Sequence, residues 1–136
     1  MGDRFTPEKR RQIMSSVKGQ DSGAEKLVRR MIHGLGFRFR LHRADLPGKP
    51  DVVLPRHRKI VFVHGCFWHG HSGCSRSKRP STNLEFWNKK LDGNVRRDIR
   101  CQRSLRRMGW RVLVVWGCEI GRREALLNKL ERFLND

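Results

Sequence analysis

The sequence predicts one α/β domain in which helices flank a small mixed β-sheet. Two almost wholly apolar segments, 59–63 and 111–116, are typical of central strands covered on both faces. Segments with apolar residues at helical spacing precede, separate and follow these two strands. A length of 136 residues suits a single domain of this kind.

Residues 1–20 are predicted to form a basic N-terminal arm or short helix ahead of the domain at 21–136. Thr6 followed by Pro7 is typical of a helix N-cap and a first helical position. A second helix is predicted from about Ser22 to the glycines at 34 and 36. Its apolar residues recur at intervals of three and four: Ala24, Leu27, Val28, Met31, Ile32 and Leu35.

The next part of the chain changes to strand patterns separated by turns. Three strands are predicted, at 37–42, 51–54 and 59–63. The first is expected to be half buried, because apolar and polar residues alternate along it. Paired as a hairpin, the other two place Asp51 beside Val63 and His64.

Beyond an irregular segment, the sequence predicts a long helix, a strand and a last helix, at 83–108, 111–116 and 120–134. Because the long helix crosses over between them, the strands on either side of it can lie parallel. The apolar residues of the long helix predict its buried face: Leu91, Val95, Ile99, Leu105 and Met108.

The charge of the chain indicates a polyanionic partner. Lys and Arg number 31 against 13 Asp and Glu, a formal charge of +18, and nucleic acid is the simplest partner for it. A merely soluble basic surface is the alternative. Four Trp and seven Phe argue against a disordered basic tail. No apolar run suits a membrane span, and the first residues lack an apolar signal core, so we expect a cytoplasmic protein without a membrane partner.

Cysteine and histidine spacing predicts a structural zinc site. Cys66, His71 and Cys74 lie within nine residues, in a loop that has no apolar core of its own. Cys118 follows the last strand and suits the fourth position better than Cys101, which lies within a helix. Unrelated buried thiols are the alternative.

Acid–base chemistry is indicated by His64, His69 and Asp51, which the hairpin brings to one end of the sheet. Asp51 at a strand end is a suitable Mg²⁺ ligand. The alternatives are a turn aspartate and histidines that cap a strand or bind zinc. Glu25 is also a candidate for this site, and its alternative is a structural role in a capping box with Ser22.

Two aromatic pairs, Phe67-Trp68 and Phe86-Trp87, lie in basic surroundings, where such side chains stack on bases or wedge between base pairs. Core packing is the alternative, and it is favoured for Phe86.

Together these motifs resemble the very-short-patch repair (Vsr) endonuclease family. The resemblance runs in colinear order from about residue 10 to 120. It is carried by Met14, Glu25, Leu46-Pro47-Gly48-Lys49-Pro50-Asp51, His64-Gly65-Cys66-Phe67-Trp68-His69, His71, Glu85-Phe86-Trp87, Asn94, Arg97-Asp98, the segment from Gly109 to Trp116, and Cys118.

The resemblance implies a restriction-endonuclease-like fold with a structural zinc. It implies a Mg²⁺-dependent enzyme that nicks double-stranded DNA on the 5′ side of T in a T·G mismatch, the product of 5-methylcytosine deamination. Such an enzyme is expected to work as a monomer at the nucleoid. The alternatives are a nicking endonuclease with relaxed mismatch or sequence specificity, and a non-catalytic zinc-containing nucleic-acid-binding module.

The resemblance also implies roles for single residues at the scissile phosphate. Asp51 would hold Mg²⁺ with the main-chain carbonyl of Val63, a position where family members often carry a hydroxyl residue. His69 would be the general base, His64 a supporting group at the phosphate, and Glu25 an orienting partner.

For the rest of the duplex, Phe67, Trp68 and Trp87 would enter from the major groove and Met14 from the minor groove. Lys90 and Asn94 would contact the mismatched pair. The implied zinc ligands are Cys66, His71, Cys74 and Cys118.

Overall fold

The computed structural model describes residues 6–16 and 23–136, apart from the side chains of residues 15 and 16. Four helices and four strands follow one another within these ranges: α1 (Pro7–Ser16), α2 (Ala24–Gly34), β1 (Arg40–Leu41), β2 (Val52–Leu54), β3 (Lys59–His64), α3 (Leu84–Arg107), β4 (Arg111–Trp116) and α4 (Arg123–Asn135). The sheet has the order β1-β2-β3-β4. The first two pairings are antiparallel and β3 pairs with β4 in parallel, which confirms the predicted mixed sheet.

Both faces of the sheet are covered, as the apolar runs predicted. On one face, α1, α2 and α4 pack over alternate strand residues such as Val61 and Val115. On the other face, Leu105 of α3 packs with Ile60 and Phe62. Successive residues of a strand point to opposite faces, so a strand between two helical layers has to be apolar throughout.

Helix α1 packs against the domain through both apolar and charged contacts. Thr6 caps it, since its Oγ1 accepts the Lys9 backbone N–H at 3.1 Å. Ile13 is buried, and the Arg10 guanidinium lies 2.6 Å from the Glu124 carboxylate of α4. The rest of the predicted arm, 1–5 and 17–20, lies outside the described residues.

Two predicted boundaries and part of one predicted buried face were wrong. The strand expected at 37–42 contains only Arg40 and Leu41, because its partner β2 has three residues and His42 adopts a positive φ of 48° that ends the strand. The last helix begins at Arg123 rather than at 120, because a 3-10 turn, Gly117–Glu119, follows β4 first. Of the predicted buried face of α3, Ile99 and Met108 are each 46% exposed, because Ile99 faces away from the sheet and Met108 lies beyond the last helical residue.

No helix within 6–16 or 23–136 is both long enough and apolar enough to span a bilayer.

Replacing Leu130 of α4 tests the larger helical layer. Leu130 is fully buried in the α1–α2–α4 cluster, so Leu130→Ala is expected to lower the free energy of unfolding by about 2–5 kcal/mol. Ile99→Ala, an exposed control, is expected to change it by less than about 0.5 kcal/mol. Urea unfolding followed by circular dichroism measures both. Equal destabilisation by the two variants would contradict this packing.

Candidate active site and metal centre

The site lies where the carboxyl ends of the parallel strands β3 and β4 meet the start of β2. The register pairs Val52 with Val61, which brings Asp51 to the end of β3. There the Val63 backbone N–H donates to Asp51 Oδ2 at 2.7 Å. Burial raises the pKa of Asp51, while this hydrogen bond opposes the rise. Asp51 is therefore a partly desolvated carboxylate with a fixed orientation.

His64 and His69 lie side by side next to Asp51. Their rings stack with centroids 3.8 Å apart and planes 6° from parallel. Burial, and then the neighbouring His69, lower the pKa of His64 to about 4, so His64 is neutral at pH 7. Its Nδ1 is buried and has no hydrogen-bond partner among the described residues.

His69 is oriented by Asp98, which sequence reasoning did not assign to the site. His69 Nδ1 lies 2.6 Å from Oδ2 of Asp98, a residue of α3. An ionised Asp98 accepts a hydrogen bond from the Nδ1–H of His69, which leaves the lone pair of Nε2 available as a base. Asp98 lies one helical turn after Asn94, whose side chain also contacts this loop. This spacing of four residues is the sequence signal that could have placed Asp98 at the site.

Glu25 has a second unexpected partner in His42. Its Oε2 lies 2.7 Å from His42 Nε2 and 3.3 Å from Arg29. The helix N-cap is Gly23, so the capping-box alternative does not describe Glu25, and Ser22 lies outside the described residues. Donor atoms of Glu25, His42 and Asp51 all lie within 4.8 Å of one another, so they can share a cation.

Asp51, the two stacked histidines and Asp98 line an open cleft of about 230 Å³. The residues that line it are Gly48, Lys49, Asp51, Phe62, Val63, His64, His69, Arg97, Asp98, Cys101 and Gln102. Carboxylates, imidazoles and cations thus converge at one opening. Such a set can bind a divalent cation beside a phosphate and move a proton there.

The sulfur-rich loop forms a separate cluster. Ligand atoms of Cys66, His71, Cys74 and Cys118 lie within 4.8 Å of one another, while Cys101 lies in the cleft instead. His71 Nδ1 is 3.6 Å from Cys66 Sγ and 3.5 Å from Cys118 Sγ. Three thiols and one imidazole are a donor set that is compatible with zinc.

The ionisation of the sulfur ligands differs within this cluster. The Arg76 backbone N–H, above other causes, lowers the pKa of the Cys74 thiol. Burial and the adjacent thiols raise the pKa of Cys118 to about 11. The ring of His71 stacks on Trp116, with centroids 4.1 Å apart, which orients the imidazole ligand.

A cluster of aromatic rings lies beside the cleft, between the loop and the start of α3. Phe67, Trp68 and Trp87 contact one another with ring centroids 5.1–5.9 Å apart. Asn94 Nδ2 donates to the Trp68 backbone carbonyl at 3.0 Å and supports the loop. Trp68 is 47% exposed. The expectation of core packing for Phe86 was wrong, because Phe86 is 60% exposed and contacts only the rim of the cluster, at Trp87.

The remaining predicted residues lie around this framework. Met14 is half buried against the α1–α2–α4 core. Val63 packs against the same core and leaves its main chain at the cleft. Lys90 is exposed on α3.

The known proteins that resemble this chain all point to one family. Residues 2–76 match the model of the family described as DNA mismatch endonuclease Vsr. A type II nicking enzyme, V.XorIIP, from Xanthomonas oryzae pv. oryzae is 47% identical over 99% of this chain and 98% of its own length.

Two further relatives cover nearly the whole chain. The DNA mismatch endonuclease Vsr of Escherichia coli is 40% identical over 98% of this chain and 88% of its own length. A type II nicking enzyme, V.NmeAIP, from Neisseria meningitidis is 38% identical over 100% of this chain and 96% of its own length. The chain therefore belongs to the Vsr family of DNA mismatch endonucleases and is a hydrolase that acts on DNA.

Proposed function

We propose that this endonuclease nicks duplex DNA on the 5′ side of T in T·G mismatches, with Mg²⁺ at Asp51 and His69 as general base. The observation that carries the proposal is the convergence of Asp51 with the His69–Asp98 pair in one cleft, beside exposed aromatic rings. Family membership removes the alternative of a non-catalytic binding module. The resemblance of the motifs to the Vsr family supports T·G as the mismatch.

The magnesium assignment rests on the donor set. Asp51 offers a hard carboxylate oxygen, and Glu25 and His42 lie within 4.8 Å of it, with the Val63 main chain at the same edge. Mg²⁺ bound there would neutralise charge that develops on the phosphate oxygens.

Proton transfer is assigned to His69. Asp98 holds Nδ1 in its protonated form, so Nε2 takes the proton of the attacking water as that water bonds to phosphorus. The bond from phosphorus to the sugar oxygen breaks, and that oxygen takes a proton from solvent water to leave as a hydroxyl. The neutral His64, stacked on His69, keeps a second positive charge away from this base and presents its polar edge to the phosphate. Glu25 is the orienting partner on the other side of the metal position, where it holds His42 beside Asp51.

The fold and location belong to the same proposal. A restriction-endonuclease-like fold is supported by the strand–hairpin arrangement that presents Asp51 at the sheet end. Zinc is assigned to Cys66, His71, Cys74 and Cys118 on their chemistry and proximity. A DNA substrate supports a cytoplasmic, nucleoid-associated monomer.

The activity is tested by nicking of duplexes that carry each mismatch in turn, with and without Mg²⁺. The proposal expects cleavage of the T·G duplex only when Mg²⁺ is present. Comparable cleavage of several mismatches would favour the relaxed specificity instead.

Separate variants divide the two metal roles. Cys118→Ser is expected to lose zinc and thermal stability, because it removes one of four soft ligands. Asp51→Ala is expected to keep its zinc content and its midpoint of thermal denaturation near those of the wild type, and to abolish nicking. Mass spectrometry for zinc and thermal denaturation measure both, and Cys101→Ser is the control thiol outside the cluster. Zinc loss in Asp51→Ala would show that the ligands are wrongly divided.

Loss of the general base is expected to lower the nicking rate by a defined factor. His69→Ala is expected to lower the single-turnover nicking rate by about 10²–10⁴-fold while binding of mismatched DNA persists. Asp98→Asn should lower the rate as well, since it no longer selects the Nδ1-protonated tautomer. His57→Ala is the control, because His57 is exposed at the opposite end of β2. Nicking by His69→Ala at the wild-type rate would remove His69 from the mechanism.

Mismatch recognition is assigned to the aromatic cluster and general affinity to the charge. Trp68→Ala is expected to reduce the preference for mismatched over paired duplex with little change in the salt dependence, because a wedge opens a mispaired step at least cost. Lys89→Ala, at an exposed position of α3, is expected to weaken both duplexes alike and to reduce the salt slope by about one unit. Titrations at several salt concentrations measure both effects. Full discrimination by Trp68→Ala would exclude Trp68 as a wedge.

A further inference from the structure

The surface feature that the proposed function leaves unused is an apolar patch at the start of α3, centred on the ring of Phe86. Phe86 is 60% exposed, the largest exposed fraction among the large apolar side chains of the described residues. It belongs to the first turn of the helix, which follows Asn83 in a left-handed conformation with φ of 52°. The ring of Phe86 therefore lies at one end of a 24-residue helix and is open to solvent.

The patch is continuous with the aromatic cluster. The ring of Phe86 contacts that of Trp87 edge-on, with centroids 5.2 Å apart and planes at 78°. Trp87 in turn contacts both Phe67 and Trp68, at 5.5 and 5.9 Å. Phe86 is thus the outermost of four linked rings, and the ring nearest to solvent.

The charge around the patch identifies its occupant. Helix α3 carries eight Lys and Arg against three Asp and Glu, and Lys89 and Lys90 are exposed one turn after Phe86. An apolar ring among exposed cations suits a nucleic acid, because bases and sugars offer apolar faces while phosphates pair with the cations. A protein partner would have to be acidic around an apolar centre.

We propose that Phe86 is a fourth aromatic contact to DNA, one that packs against the nucleotide next to the step opened by Phe67, Trp68 and Trp87. The contact rests on the proposed recognition of mismatched duplex by the other three rings. A nucleotide displaced beside an opened step exposes the face of its base, and Phe86 stands where the cluster ends.

The contact makes Phe86 a specificity-determining residue. A paired and stacked duplex exposes no base face, so the ring gains little there. A mismatched duplex with an open step gains a stacking surface. Phe86 therefore adds to the preference for mismatched DNA.

The test compares Phe86→Ala with Ile99→Ala, a control that removes an equally apolar, 46% exposed side chain from the same helix away from the rings. Phe86→Ala is expected to weaken binding of the T·G duplex by about 5–150-fold, the span that base–aromatic stacking gives on alanine substitution, and the paired duplex by much less. Ile99→Ala should bind both duplexes like the wild type. Phe86→Tyr should retain affinity and Phe86→Leu should not, because the contact needs a ring.

A second readout locates the contact. Duplexes with 2-aminopurine at single positions flanking the mismatch report stacking by their fluorescence, and Phe86→Ala should restore emission at one flanking position. Equal affinity of Phe86→Ala and wild type for every duplex, with unchanged 2-aminopurine emission, would overturn the proposal. If Trp68→Ala loses discrimination while Phe86→Ala keeps it, this contact fails and the proposed function stands. If both variants keep discrimination, the wedge itself fails.

Discussion

The hydrogen bond from the Val63 backbone N–H to Asp51 Oδ2, 2.7 Å long, ties the start of β2 to the end of β3. The antiparallel register of this hairpin and the parallel pairing of β3 with β4 bring three chain segments to one edge of the sheet. The positions of Asp51, of the loop that follows β3 and of Cys118 all depend on that edge of the sheet. A shift of one residue in the hairpin would turn Asp51 to the other face of the sheet and separate it from His69.

The loop between β3 and α3 carries the proposed base and two rings of the aromatic cluster, yet it has few apolar residues with which to form a core. The Cys66–His71–Cys74–Cys118 cluster joins this loop to the end of β4, and Asn94 of α3 holds the Trp68 carbonyl. His69 lies between these two supports and contacts Asp98. These contacts position the loop against α3 and β4, and a zinc ion bound by the cluster, as proposed, would add a further support.

Electrostatics divides the surface from the cleft. The formal charge of +18 draws the protein to any DNA, whereas the carboxylates of Asp51, Asp98 and Glu25 are gathered near the cleft. Carboxylates so close to a phosphate require a cation between them, which is consistent with a metal-dependent nuclease. Phosphate contacts are the same in every sequence, so the proposed discrimination between duplexes depends on the uncharged aromatic surface.

Much of this arrangement could be predicted from the sequence, because the signals are local. The apolar runs at 59–63 and 111–116 require cover on both faces, and the helix between them allows parallel pairing. The close spacing of Cys66, His71 and Cys74 brings them together in one loop. By contrast, the pairs His69–Asp98 and Glu25–His42 join residues far apart in sequence, and they depend on how α3 and α2 are rotated against the sheet. The same rotation exposes Phe86, for which core packing was the favoured alternative, because a short apolar pattern does not show whether protein or solvent faces it. Only the tertiary structure decides which side of a helix meets the sheet, since that choice depends on packing of the whole chain.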